Sequence, residues 1–163
     1  MNSGFSLPNA AIVIAAMFAL SFTSKAEHAN EKSFARSVKI ASKPETVWNA
    51  LTKKVHVDKY YLAPLGADLA SAESEIFYGS PENKMIVGEV TIFEPPMRLT
   101  HTFRFSGRDG AKTSYVTYWI KPIDGGSKLT VSHVGYKADS QDFGDISAGW
   151  PIILSGLKSY LEK

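Results

Sequence analysis

The chain has 163 residues, 44% of them hydrophobic and 21% charged, with 18 Lys and Arg against 16 Asp and Glu. That composition excludes a disordered polymer and leaves no strong field to attract nucleic acid, and the length fits one domain plus an appendage. The absence of cysteine excludes a disulfide framework, a thiolate nucleophile and any Cys-ligated metal site.

The run from Ala10 to Leu20 (AAIVIAAMFAL) is unbroken apolar sequence. As a helix it would rise about 16 Å, half a bilayer core, which is too short for a span and fits a signal-peptide core. Ser24 and Ala26 place small residues for cleavage after Ala26, although no Lys or Arg precedes the run. Residues 1–26 are therefore expected to be a signal peptide or an N-terminal apolar segment. The expected location is periplasmic or secreted, with no stable membrane span after processing; the alternative is a retained anchor. The remainder keeps 17 basic and 16 acidic residues, so it is almost neutral and no nucleic-acid partner is expected.

Phe34 to Ile40 alternates as a first strand. Ser42-Lys43-Pro44-Glu45 opens a short helix, with Ser42 expected as its cap and Val47, Trp48 and Leu51 at helical spacing. A second short helix or turn is expected over Val55–Tyr61. From about Leu69 the period changes to two. Ser74–Gly79, Lys84–Glu94, Leu99–Phe105, Thr113–Lys121 and Ser127–Val134 read as strands, with Gly88 a possible bulge. Pro122-Ile123-Asp124-Gly125-Gly126 is a tight connection that sets Val116, Tyr118 and Ile120 opposite Leu129, Val131 and His133. Gly149–Glu162 is expected to be helical, with Trp150, Ile153, Leu154, Leu157 and Leu161 on one stripe and Pro151 in the first turn. The fold class is α+β: a curved antiparallel sheet gripping a long C-terminal helix, with two short helices after the first strand. One domain, 33–162, is expected.

Three groups of residues carry a resemblance: Pro44…Val47-Trp48, Pro95-Pro96-x-Arg98-Leu99, and Gly125-Gly126…Leu129-x-Val131-x-His133. In this order and spacing the chain resembles the helix-grip superfamily (START-like, SRPBCC). Within it, the chain is similar to the branch of homologues of the activator of heat-shock protein 90 ATPase. The resemblance implies a cavity between sheet and helix, or else a protein-interaction module.

The candidate ligand-binding residues are Trp48, Tyr61, Tyr78, Glu89, His101, Phe103, Tyr118, His133 and Trp150. Tyr and Trp can both stack on a ligand and hydrogen-bond to it. His101 and His133 lie on apolar strand faces, where they could hydrogen-bond or act as bases. Glu89 could point inward if Gly88 bulges. No cofactor is expected, and two histidines without a third ligand predict no metal site. Asp139, Asp142 and Asp145 read as a solvated loop before the last helix. Tyr115 and Trp119 have the opposite parity and should face solvent. Three functions follow: an exported carrier of a small apolar or amphipathic molecule; a co-chaperone-like module with a protein partner; and a cyclase- or hydrolase-like enzyme using His101, His133 or Glu89. No catalytic set is assigned.

Overall fold

Alternating strands need a partner for their apolar face, and the C-terminal helix supplies it. The computed structural model describes residues 31–137 and 140–163, so the expected leader, 1–26, lies outside the described residues. Along the chain come β1 (Glu31–Ile40), α1 (Pro44–Thr52), α2 (Lys54–Val57), β2 (Glu75–Ser80), β3 (Asn83–Glu94), β4 (Arg98–Phe105), β5 (Ser114–Ile123), β6 (Gly126–Lys137) and α3 (Gln141–Leu161). The strands form one curved antiparallel sheet in the order β1-β6-β5-β4-β3-β2.

The β5–β6 register sets Val116 opposite His133, Tyr118 opposite Val131 and Ile120 opposite Leu129, as the alternation implies. Their hairpin turns at Asp124-Gly125, where Gly125 has a φ of 74°, a conformation that costs glycine little. On the next strand His101 pairs with Val116 and Leu99 with Tyr118. A transverse row, His101–Val116–His133, therefore lies on the face that α3 covers. Ile40, Val47, Leu129, Ile120 and Leu157 close the opposite end of the grip as solid core.

Four local expectations are corrected. Ser42 is not the cap of α1: Lys43 holds that position without a side-chain bond, and Ser42 Oγ instead donates to the Leu161 carbonyl at 3.4 Å. Gly88 does not bulge. The register shifts fall at Tyr78/Gly79 and Val90/Ile92, and a Cβ on Gly88 would overlap the Thr102 carbonyl, so the glycine serves close strand approach. The final helix begins at Gln141, eight residues before Gly149, with Ser140 as cap accepting from Phe143 N at 3.2 Å. Pro151 is interior, not in the first turn. The first turns carry Gly144, Gly149 and few large apolar residues, so no stripe is visible there; burial of Ile146 and Trp150 against the sheet holds them helical. The fourth correction follows: Asp142 and Asp145 belong to the helix, and Asp142 is buried.

Candidate functional site

Trp150 reaches from α3 to the sheet and donates its Nε1–H to His133 Nδ1 at 3.1 Å. An indole nitrogen can only donate, so Nδ1 holds the lone pair and the neutral ring carries its hydrogen on Nε2. That Nε2 meets Ser114 Oγ at 3.0 Å and the Tyr136 hydroxyl. The two hydroxyls are 2.8 Å apart, and Ser114 Oγ also bonds the Phe103 carbonyl at 3.0 Å. Burial pushes the His133 pKa down to about 2, with neighbouring His101 adding to the effect. The ring is thus a neutral node tying β4, β5, β6 and α3 together. Its Nε2 offers Ser114 a hydrogen and no lone pair, which is the wrong tautomer for activating a serine nucleophile.

His101 is wired differently. Its Nδ1 lies 2.7 Å from the Thr102 carbonyl, which can only accept, so Nδ1 carries the hydrogen. Nε2 is a buried acceptor with no partner among the described residues. Burial lowers the pKa to about 4, and the bond to Thr102 opposes that shift without cancelling it. Tyr118 links the two histidines' surroundings, stacking on His101 at 6.1 Å and meeting Trp150 edge-on at 5.8 Å. Tyr61 and Tyr78 stack at 4.2 Å between centroids. Burial raises the phenol pKa of Tyr61, Tyr78 and Tyr118, so all three stay neutral donors.

Beside this network lies a cavity of about 160 Å³, between the 61–63 segment, the ends of β3 and β4, and the first half of α3. Phe103, Phe105, Ile86, Ile146, Trp150 and Ile153 form its walls, and Tyr61, Leu62, Met85 and Asp145 stand toward the mouth. Leu62 is 60% exposed and Met85 53%, an apolar rim that solvent meets. Arg108, on the loop after β4, contacts two of the lining residues, Phe105 and Asp145, from outside the cavity. Its guanidinium sits 4.1 Å above the Phe105 ring and pairs with Asp142 at 2.5 Å and Asp145 at 2.8 Å. This latch ties the β4–β5 loop to the first turns of α3.

Of the residues singled out in sequence, Tyr61, Phe103 and Trp150 line the cavity. Tyr78 stands behind Tyr61, while Tyr118 and His133 stand behind Trp150, with His101 beside Tyr118. Trp48 is elsewhere, packed edge-on against Phe93 at 5.0 Å. Glu89 is also elsewhere: with no bulge at Gly88 it keeps the outward parity, is exposed, and faces Glu75 across the β2–β3 pair. Ile86, Met85, Ile146, Ile153 and Arg108 were not among the candidates. The isoleucines look like any core residue in sequence, and a lone Arg in a polar loop gives no sign that it spans to a helix 34 residues on.

A family model described as Activator of Hsp90 ATPase homolog 1-like protein matches residues 41–162. Among solved structures the chain resembles protein MLL2253 from Mesorhizobium loti, with TM-score 0.72 and 22% identity over 80% of this chain and 97% of that one. It also resembles the Aha1 dimer from Colwellia psychrerythraea, with TM-score 0.69 and 14% identity over 80% and 96%. A third similar structure is CalU16 from Micromonospora echinospora, with TM-score 0.66 and 20% identity over 80% and 76%. A search of curated proteins finds no match.

Proposed function

The chain belongs to the Activator of Hsp90 ATPase homolog 1-like family, and from that premise we propose that it is an exported helix-grip domain binding a small amphipathic molecule between sheet and α3. The carrying observation is the cavity, about 160 Å³, apolar-walled and rimmed by exposed Leu62 and Met85. An apolar cavity near 150 Å³ takes a benzene-sized group, and drug-sized ligands need at least about 300 Å³. A ring-sized apolar portion therefore sits inside, and the rest of the molecule crosses the rim past Arg108. The indole hydrogen of Trp150 is spent on His133, and the wall is otherwise almost wholly apolar, so orientation comes from few hydrogen bonds and most affinity from burial.

Native mass spectrometry of protein from its source would read both halves of the proposal: a chain beginning near Glu27 and a co-purifying small molecule. In vitro, indole titrated into the folded chain should shift the NMR methyl signals of Ile146 and Ile153 saturably. Gly149→Leu fills the mouth from the helix, where an added Cβ meets only Leu62 at 3.5 Å. That variant should keep or raise stability, since Leu is the better helix former, while weakening indole by about tenfold or more. Saturable binding unaffected by the plug, or none at all to the folded protein, would sink the cavity reading.

A second reading, a protein-interaction module of the kind the family description names, draws on Tyr115 and Trp119, which are 48% and 41% exposed on the outer face. Their surroundings decide what that face suits.

A further inference from the structure

The sheet face turned away from α3 has a charge pattern that the near-neutral total conceals. β4, β5 and β6 contain no Asp or Glu. Lys121 lies directly opposite Lys128 in the β5–β6 register. On the other side of β6, Ser37 Oγ is 2.8 Å from Thr130 Oγ1, which sets Lys39, two residues on, beside Lys128. Three exposed lysines thus form one transverse row over β1, β6 and β5, with strands about 4.8 Å apart. Like charges directly opposite destabilise a sheet. None of the three makes an ion pair with a carboxylate among the described residues. Arg104, also exposed, adds a fourth cation on this face beyond Tyr115. Five of the nine glutamates instead gather on β2, β3 and their flanks: Glu73, Glu75, Glu82, Glu89 and Glu94.

Between the lysine row and Arg104 stand Trp119 and Tyr115, about 13 Å apart along β5. Val134, 41% exposed, is opposite Tyr115, and Thr117, Thr130 and Ser132 fill the remaining positions. Amphipathic rings and an aliphatic side chain with cations at both ends, on strands that carry no carboxylate of their own, match a surface that presents phosphates above hydrocarbon. The carboxylates of this face lie to one side on β2 and β3, where Glu94 is already paired with Arg98 opposite Trp119. We propose that this outer face docks on an anionic lipid bilayer, with Lys39, Lys121, Lys128 and Arg104 on the headgroups and Trp119 and Tyr115 at the interface. The apolar run Ala10–Leu20 that precedes β1 is itself a membrane-seeking sequence, as leader or as anchor. The proposal stands apart from the cavity and does not depend on it.

The full chain is mixed with vesicles of pure phosphatidylcholine, or of phosphatidylcholine with 30% phosphatidylglycerol, and sedimented. Binding to the neutral vesicles measures what the apolar run contributes. Partition into the anionic vesicles should exceed that by about tenfold or more at low salt and fall as salt is raised. Lys121→Glu with Lys128→Glu should abolish the excess; because it exchanges one exposed like-charge pair for another, its melting temperature should stay close to that of the parent chain. Trp48 and Trp150 are buried, so Trp119 dominates any blue shift on binding, and Trp119→Phe should remove it. Equal partition into both vesicles would overturn the proposal, as would an anionic preference that survives the double charge reversal. So would lysine-dependent binding of single-stranded DNA, or of a captured protein, without vesicle preference.

Discussion

The two ends of the grip are built from the same materials and packed to different standards. At one end Ile40, Val47, Ile120, Leu129 and Leu157 are almost fully buried against one another. At the other, α3 stands off the start of β3 and the end of β4, leaving a cavity beside which Arg108 ties the β4–β5 loop to the helix. Between them the histidine row marks the transition: among the described residues His133 has a partner on each ring nitrogen, His101 on only one. The difference teaches where the domain keeps its stability and where it can afford emptiness, since a void beside well-packed core costs stability that the closed end must supply.

The largest expected effect breaks the closed end. Leu157→Ala should cost about 2–5 kcal/mol in denaturant unfolding, as deletion of packed core side chains does. A loss under about 0.5 kcal/mol would mean that this half of α3 is not the keystone of the fold.

Acid should act on the middle. Both histidines have folded-state pKa values below the ordinary 6.5, about 4 for His101 and about 2 for His133. The neutral ring is the one the fold holds, so its contribution is fully present above pH 6.5. It declines as pH falls through the window down to those values. Between pH 6.5 and 5, ahead of most carboxylates, each histidine should remove about 2 kcal/mol. His101→Phe should flatten that slope by its own share, and a stability curve level from pH 7 to 5 would contradict the assignment of both rings as neutral.

The smallest effect sharpens the open end. Arg108→Ala should cost only about 1 kcal/mol, because the guanidinium is partly exposed and the pairs are screened. Its signature is kinetic. Exchange of indole into the cavity should accelerate several-fold, while the same probe should exchange no faster in Lys128→Ala, away from the mouth. Equal rates in Arg108→Ala and the parent chain would show that the latch does not gate the cavity.

Period-two alternation fixed all six strands to within a few residues, and β5–β6 register followed from a hairpin whose turn chemistry is written in Asp124-Gly125. Those are local properties: side-chain parity and backbone φ need no knowledge of the rest of the chain. The stripe Trp150–Leu161 likewise announced a helix, because burial on one side leaves a 3.6-residue trace. The nine helical residues before it left none. Gln141 to Gly149 turns helical because Ser140 caps it, Ile146 finds the sheet, and Arg108 pins Asp142 and Asp145 from another loop. The inward parity suggested for Glu89 failed for a related reason: whether Gly88 bulges depends on the approach of the Thr102 carbonyl on the neighbouring strand. Which atoms of His101 and His133 carry hydrogens was settled the same way, by a carbonyl and an indole that the alternation could not place. Parity and periodicity are encoded residue by residue, so the amino-acid order determined the sheet, its faces and the gripping helix. The cavity, its latch and the tautomers depend on distances between segments far apart in the chain, and only the packed tertiary structure decided them.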